Sequence, residues 1–109
     1  MKQKMLLIAI IFLFPSIAFS AGGQIYGTIT APAKSQMQIQ VQCGRLVQTT
    51  YTDTNGSYRL FVPVPGECSI QVLYSNKWTS PHQIYISANP TRYNFAIVQQ
   101  GSTWALIRR

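Results

Sequence analysis

The sequence predicts an all-β protein: a seven-stranded antiparallel Greek-key β-sandwich that follows a cleaved leader. Three observations carry this. Beyond residue 20 the chain is rich in Thr, Val, Ile, Tyr, Gln and Ser and poor in Ala and Leu, which suits a pleated, half-buried surface. No window there holds apolar residues at helical spacing, whereas short runs of apolar/polar alternation recur. Turn residues punctuate those runs at short, regular intervals, as in an antiparallel sandwich.

The leader comes first. Lys2 and Lys4 precede an uncharged run from Met5 to Phe14, then Pro15 and the small residues Ala18 and Ser20. This is the secretory pattern, with cleavage expected after Ser20. The apolar run is too short for a spanning helix, which needs about 20 residues. The expected organisation is a signal peptide over 1–20 and one domain over 21–109, with a tail strand at 102–109. No transmembrane segment is expected in the mature chain, which would be periplasmic or secreted.

The strands follow in order. Ile25, Gly27 and Ile29 alternate with Gln24, Tyr26, Thr28 and Thr30; a glycine inside a strand marks a close approach by another group. Met37, Ile39, Val41 and Cys43 alternate with Gln36, Gln38, Gln40 and Gln42, so the outer face of this strand is almost wholly glutamine. Gly44-Arg45 turns into Leu46–Thr52. Asp53 to Gly56 has the side chains and the glycine of a tight turn. Tyr58, Leu60 and Val62 alternate with Ser57, Arg59 and Phe61 until Pro63 and Pro65, which lack a ladder donor, end the strand. Cys68, Ile70, Val72 and Tyr74 form the next inward set. Residues 75–81 read as the longest loop, 83–87 as a strand with Ile84 and Ile86 inward, and 92–98 as a last core strand with Tyr93, Phe95 and Ile97 on one face.

Loss of Lys2 and Lys4 with the leader takes two from the formal charge of +7, leaving a mature balance of +5, with Asp53 and Glu67 the only acids. Lys34, Arg45, Arg59, Lys77, Arg92, Arg108 and Arg109 are spread along the chain. With no basic run and no basic–aromatic interleaving in sequence, the charge reads as a solubility feature, and no specific nucleic acid binding is expected. Cys43 and Cys68 are the whole cysteine inventory. Both fall on inward faces and export places them in an oxidising compartment, so a structural disulfide is expected. A redox pair would lie closer in sequence, and a metal site needs about four ligands, for which the mature chain offers only His82 and two carboxylates beyond the thiols. No cofactor or metal is expected.

Three motifs carry a family resemblance: Gly23-x-Ile25-x-Gly27-x-Ile29, Thr52-Asp53-x-x-Gly56-x-Tyr58-x-Leu60-x-Val62-Pro63, and Pro65-Gly66-x-Cys68-x-Ile70-x-Val72. In these the chain resembles the carboxypeptidase regulatory-like domain, a prealbumin-like seven-stranded sandwich, with Cys68 where the family has an aromatic residue. The resemblance implies a non-catalytic accessory module for folding, adhesion, carbohydrate contact or docking. A hydrolase branch of the prealbumin-like fold is set aside, because its C-terminal Tyr-Arg-Gly-Ser and several histidines are missing here.

No catalytic constellation is visible. Asp53 reads as a turn residue, Glu67 as a surface charge, and His82 has no partner pattern for a triad. Candidate binding residues are Tyr74, Lys77 and Trp78 in and beside the 75–81 loop, where an indole can stack on a sugar or a side chain. Trp104, Arg108 and Arg109 in the apolar tail are further candidates. The tail is expected to pair as a strand, in its own sheet or on a partner's edge. The expected role is an exported binding module with an envelope or extracellular protein or glycan as partner. The alternative is an assembly subunit of a surface apparatus using tail strand exchange.

Overall fold

The computed structural model describes residues 22–109, so the expected leader lies outside the described residues. The described chain is all β. Its strands are β1 (Gly23–Thr30), β2 (Gln38–Cys43), β3 (Leu46–Tyr51), β4 (Ser57–Val62), β5 (Gly66–Tyr74), β6 (Lys77–Trp78), β7 (His82–Ile86), β8 (Thr91–Arg92), β9 (Phe95–Gln100) and β10 (Thr103–Arg108). They form two sheets. One has the order β10-β9-β1-β4, with β8 also paired to β1; the other has the order β3-β2-β5-β6, with β7 also paired to β5. No described helix is long and apolar enough to cross a membrane.

The alternation read from the sequence is the alternation of burial. Ile25 and Ile29, Ile39 and Val41, Leu60 and Val62, Ile70 and Val72, Ile84 and Ile86, and Phe95 and Ile97 face one another between the sheets as one core. Their glutamine, threonine and arginine neighbours lie half-buried or exposed. Burial of such side chains is worth about 1.5–3 kcal/mol each, and it fixes the register, since a one-residue slip would turn every apolar group to water.

Two expectations are corrected. The described residues form ten strands rather than seven. Besides the expected tail strand, the additions are the short β6 and a break of the run at 92–98 at Tyr93-Asn94 into β8 and β9. Nor is the sandwich purely antiparallel: β1 pairs in parallel with β8, through Ile25↔Thr91 and Tyr26↔Arg92, and with β9, through Ile29↔Phe95 and Thr30↔Ala96. Alternation records which face a residue takes and says nothing about the direction of the neighbouring strand.

Gly27 explains the break. Its φ is 153°, and a Cβ there would lie 2.3 Å from the Tyr93 carbonyl oxygen and 2.6 Å from Asn94 Oδ1. The glycine lets the Tyr93-Asn94 step press against the middle of β1. The backbone polar groups remain satisfied: Tyr93 N–H donates to Tyr26 O (2.8 Å), and Thr28 N–H donates to Asn94 Oδ1 (2.9 Å). The turn read at Asp53 is equally explicit, with Asp53 Oδ1 accepting from Asn55 N–H (2.8 Å) and Ser57 N–H (3.0 Å).

Cys43 and Cys68 form a disulfide with Cα atoms 4.4 Å apart. The bond lies one step beyond the Gln42↔Ser69 pair, so it staples neighbouring strands of one sheet rather than two packed sheets. Threonines that the alternation leaves unremarked close the sheet ends. Buried Thr52 exchanges both backbone bonds with Met37 through its N–H and Oγ1, and buried Thr79 does the same with Val72.

Two outcomes are expected. Replacing both cysteines (Cys43→Ser with Cys68→Ser) reopens a loop with a sequence separation of 25. It lowers unfolding free energy by about 3.5 kcal/mol in the chain-entropy picture, measurable by urea denaturation. Gly27→Ala, which drives a methyl into the Tyr93 carbonyl, costs more than about 2 kcal/mol in the same assay, whereas Gly44→Ala, with open space around its Cα, costs less.

Candidate functional site

The stretch expected to be a long loop is a tight hairpin. Ser75 (φ 55°) and Asn76 (φ 63°) both take the left-handed conformation, and Leu73↔Trp78 and Tyr74↔Lys77 pair across them. Two consecutive positive φ values define a type I′ turn, whose twist matches that of the flanking strands. Lys77 and Trp78 are therefore held on a short strand, and Trp78 is 40% exposed.

The other candidate residues go elsewhere. Tyr74 is buried: its hydroxyl accepts from Ala33 N–H (3.0 Å), and its ring meets Trp104 edge-on, with centroids 5.1 Å apart. Trp104 is half-buried against the core and faces inward. These two aromatics pack on each other at one end of the sandwich, which leaves Tyr74 buried and Trp104 partly exposed. The reason is register: β10 pairs with β9 over six positions, from Thr103↔Gln100 to Arg108↔Phe95, which turns Trp104 and Leu106 to the core. The tail thus pairs within its own chain. Arg108 folds back, its guanidinium 4.3 Å from the Tyr93 ring centre and its Nη2 donating to Arg92 O (3.1 Å). Arg109 is exposed, and its N–H donates to Asn94 O (2.8 Å).

The outer face of the β3-β2-β5-β7 sheet presents paired side chains to solvent. Strand register lays it out in rows. Tyr51, Gln38, Leu73 and Trp78 are successive partners across β3, β2, β5 and β6. Thr49, Gln40 and Gln71 form the next row, and Val47, Gln42, Ser69 and Gln83 the third. Glu67 and Tyr85 pair at the end. The centre is amide and hydroxyl. The periphery is apolar, with Val47, Tyr51, Trp78 and Tyr85 between 40% and 57% exposed. Three strand spacings put Tyr51 and Trp78 about 14 Å apart. A shallow depression of about 570 Å³ lined by Gln42, Glu67, Cys68, Ser69 and Gln83 lies at the disulfide end. Sequence reasoning found Trp78 and the glutamine strand separately. It missed Tyr51 and Tyr85, whose partnership with them is a product of strand pairing.

A second cleft, between β7 and β10, is lined by Glu67, His82, Tyr85, Tyr93 and Arg108. Its groups are engaged in structure. His82 packs edge-on against Phe95 at 5.0 Å and its Nδ1 lies 3.0 Å from Gln83 O. The Tyr93 hydroxyl accepts from Tyr85 N–H (2.9 Å). Tyr58, buried beneath, donates to the Tyr93 carbonyl (2.6 Å). Burial pushes the Tyr58 phenol well above its ordinary value of 10.0; the neighbouring Tyr93 adds to this and Arg108 opposes it. Among the described residues no group of three His, Cys, Asp or Glu side chains is placed to hold a metal ion.

No protein-family model matches the chain, and no curated protein matches it in sequence.

The raised Tyr58 pKa fixes a pH dependence. The folded state holds the phenol proton more tightly than the unfolded chain, so this contribution is fully present below pH 10 and is lost as pH rises through and beyond it. The melting temperature of the wild type falls between about pH 9.5 and 11.5. That of Tyr58→Phe starts about 1 kcal/mol less stable at neutral pH, from the lost hydrogen bond, and falls less steeply.

Proposed function

We propose that the protein is an exported, non-catalytic binding module of the carboxypeptidase regulatory-like type, and that it engages an uncharged, hydroxyl-rich ligand, a neutral glycan, on the glutamine face. The observation that carries this is the layout of that face: amides of Gln38, Gln40, Gln42 and Gln71 in the middle, with Tyr51, Trp78 and Tyr85 around them. Primary amides both donate and accept, which matches sugar hydroxyls. Exposed aromatic rings supply flat apolar faces for the C–H side of a sugar ring. Only Glu67 among the paired residues of this face carries charge, so the chemistry favours a neutral partner.

The family reading has support in the arrangement of the motifs. Gly27 lies at a close backbone approach, Asp53 and Gly56 build the turn before β4, and Gly66 opens β5. The chain changes sheets between β1 and β2, β3 and β4, β4 and β5, and β7 and β8, the kind of crossover a Greek-key sandwich requires. The disulfide is compatible with an oxidising compartment outside the cytoplasm. Assembly by tail exchange has less support, since β10 completes its own sheet.

Affinity electrophoresis through gels containing soluble neutral polysaccharides tests the reading. Wild-type mature protein is retarded by at least one of them. Tyr51→Ala combined with Trp78→Ala weakens retardation about tenfold, since each stacked ring contributes about 0.5–1.5 kcal/mol. The melting temperature changes little, because both side chains are exposed. Retardation by none of a broad panel, or undiminished retardation of the double variant, overturns it.

A further inference from the structure

The opposite sheet carries a different chemistry. On its outer face Arg59, Tyr26 and Arg92 form one row across β4, β1 and β8, through the pairs Tyr26↔Arg59 and Tyr26↔Arg92. Residues 26, 59 and 92 are far apart in sequence, and only the parallel β1–β8 pairing brings the two arginines to either side of the tyrosine. The Arg92 guanidinium sits 5.5 Å from the Tyr26 ring centre. Two strand spacings set the arginine Cα atoms about 10 Å apart. Both arginines are exposed.

Beside this row lies an open cavity of about 430 Å³ lined by Tyr26, Gly27, Thr28, Ser57, Tyr58, Arg59, Arg92 and Asn94. Thr28 and Ser57 are cross-strand partners and place hydroxyls next to the guanidinium groups. Asn94 Oδ1 accepts from Thr28 N–H, which holds the Asn94 side chain in the lining. No carboxylate lines the cavity. Asp53 lines a neighbouring depression beyond Arg59, where its Oδ1 is bonded to two backbone N–H groups.

We propose that this row is a second binding site, for an acidic glycan, with Arg59 and Arg92 gripping anionic substituents on successive sugars and the hydroxyls and amide meeting sugar hydroxyls. Guanidinium forks match carboxylate, sulfate and phosphate oxygens bidentately, so the recognised chemistry is the planar or tetrahedral oxyanion. A single-stranded nucleic acid fits less well. Base stacking needs free aromatic faces, and Arg92 occupies one face of Tyr26, leaving Phe61 as the exposed ring of this sheet face. The site is independent of the neutral-glycan face, which lies on the other sheet.

The test is titration of the mature protein, at low salt, with a heparin-derived octasaccharide, an oligogalacturonide, a neutral malto-oligosaccharide and an oligothymidylate of matched charge. The acidic oligosaccharides bind. Arg59→Gln with Arg92→Gln weakens them about tenfold or more and lowers the slope of log affinity against log salt by roughly one to two. Arg45→Gln with Lys77→Gln removes the same charge at hairpin ends of the other sheet and changes affinity less than about threefold. Arg59→Lys with Arg92→Lys, which keeps the charge and loses the fork, falls between. Unchanged melting temperatures establish that the variants fold. Equal losses from the two glutamine pairs, tighter binding of the oligothymidylate, or no binding of either acidic oligosaccharide overturns the proposal. Tyr51→Ala with Trp78→Ala leaves acidic binding intact, which separates this site from the glutamine face.

Discussion

Much of the molecule hangs on how closely the Tyr93-Asn94 step approaches β1. With only hydrogen at the Gly27 Cα, the step lies against the strand, and β1 acquires two successive parallel partners on one side. Asn94 substitutes a side-chain acceptor for the ladder bond lost at the break. From there the chain continues into β9, β10 closes the sheet, and Trp104 and Leu106 seal the core. The same approach buries Tyr93, whose carbonyl receives the Tyr58 hydroxyl and whose own hydroxyl bridges to the β7 backbone. A single missing side chain thus couples one sheet to the other and places Arg92 beside Tyr26.

The disulfide acts at the other sheet. β2 is held between β3 and β5, and the Cys43–Cys68 bond pins its pairing with β5 at one end while Thr52 and Thr79 satisfy backbone groups at the other. An outer surface of side chains in regular rows results. The two faces of the sandwich therefore differ in character: one rich in amides, with Glu67 its one paired charge, and framed by aromatic groups, the other crossed by cations. A small domain with this division presents two chemistries to its surroundings without a deep pocket.

Several particulars were legible in the sequence because they are local. Alternation in 57–62 and 68–74 marked the buried side chains correctly, since a strand has only two faces. Asp53 and Gly56 announced their turn, because an Asx side chain bonds backbone within a few residues. Gly27 was recognisable as a place of close approach. The tight turn at Ser75-Asn76 was less legible: both residues adopt positive φ with no glycine present. The packing of Tyr74 on Trp104 was not legible for a non-local reason, since the two rings come from strands far apart in the chain.

The sequence by itself determined the β class, the inward set of side chains, the turns and the availability of one disulfide, because propensity, two-residue periodicity and cysteine count act over short distances. Tertiary structure alone decided which strands became neighbours and in which direction. That choice depends on contacts between residues tens of positions apart. It alone gathered Tyr51, Gln38 and Trp78 into one row and Arg59, Tyr26 and Arg92 into another. Charges dispersed along the chain became a cluster because β8 lies beside β1, and that adjacency rests on the space left at Gly27.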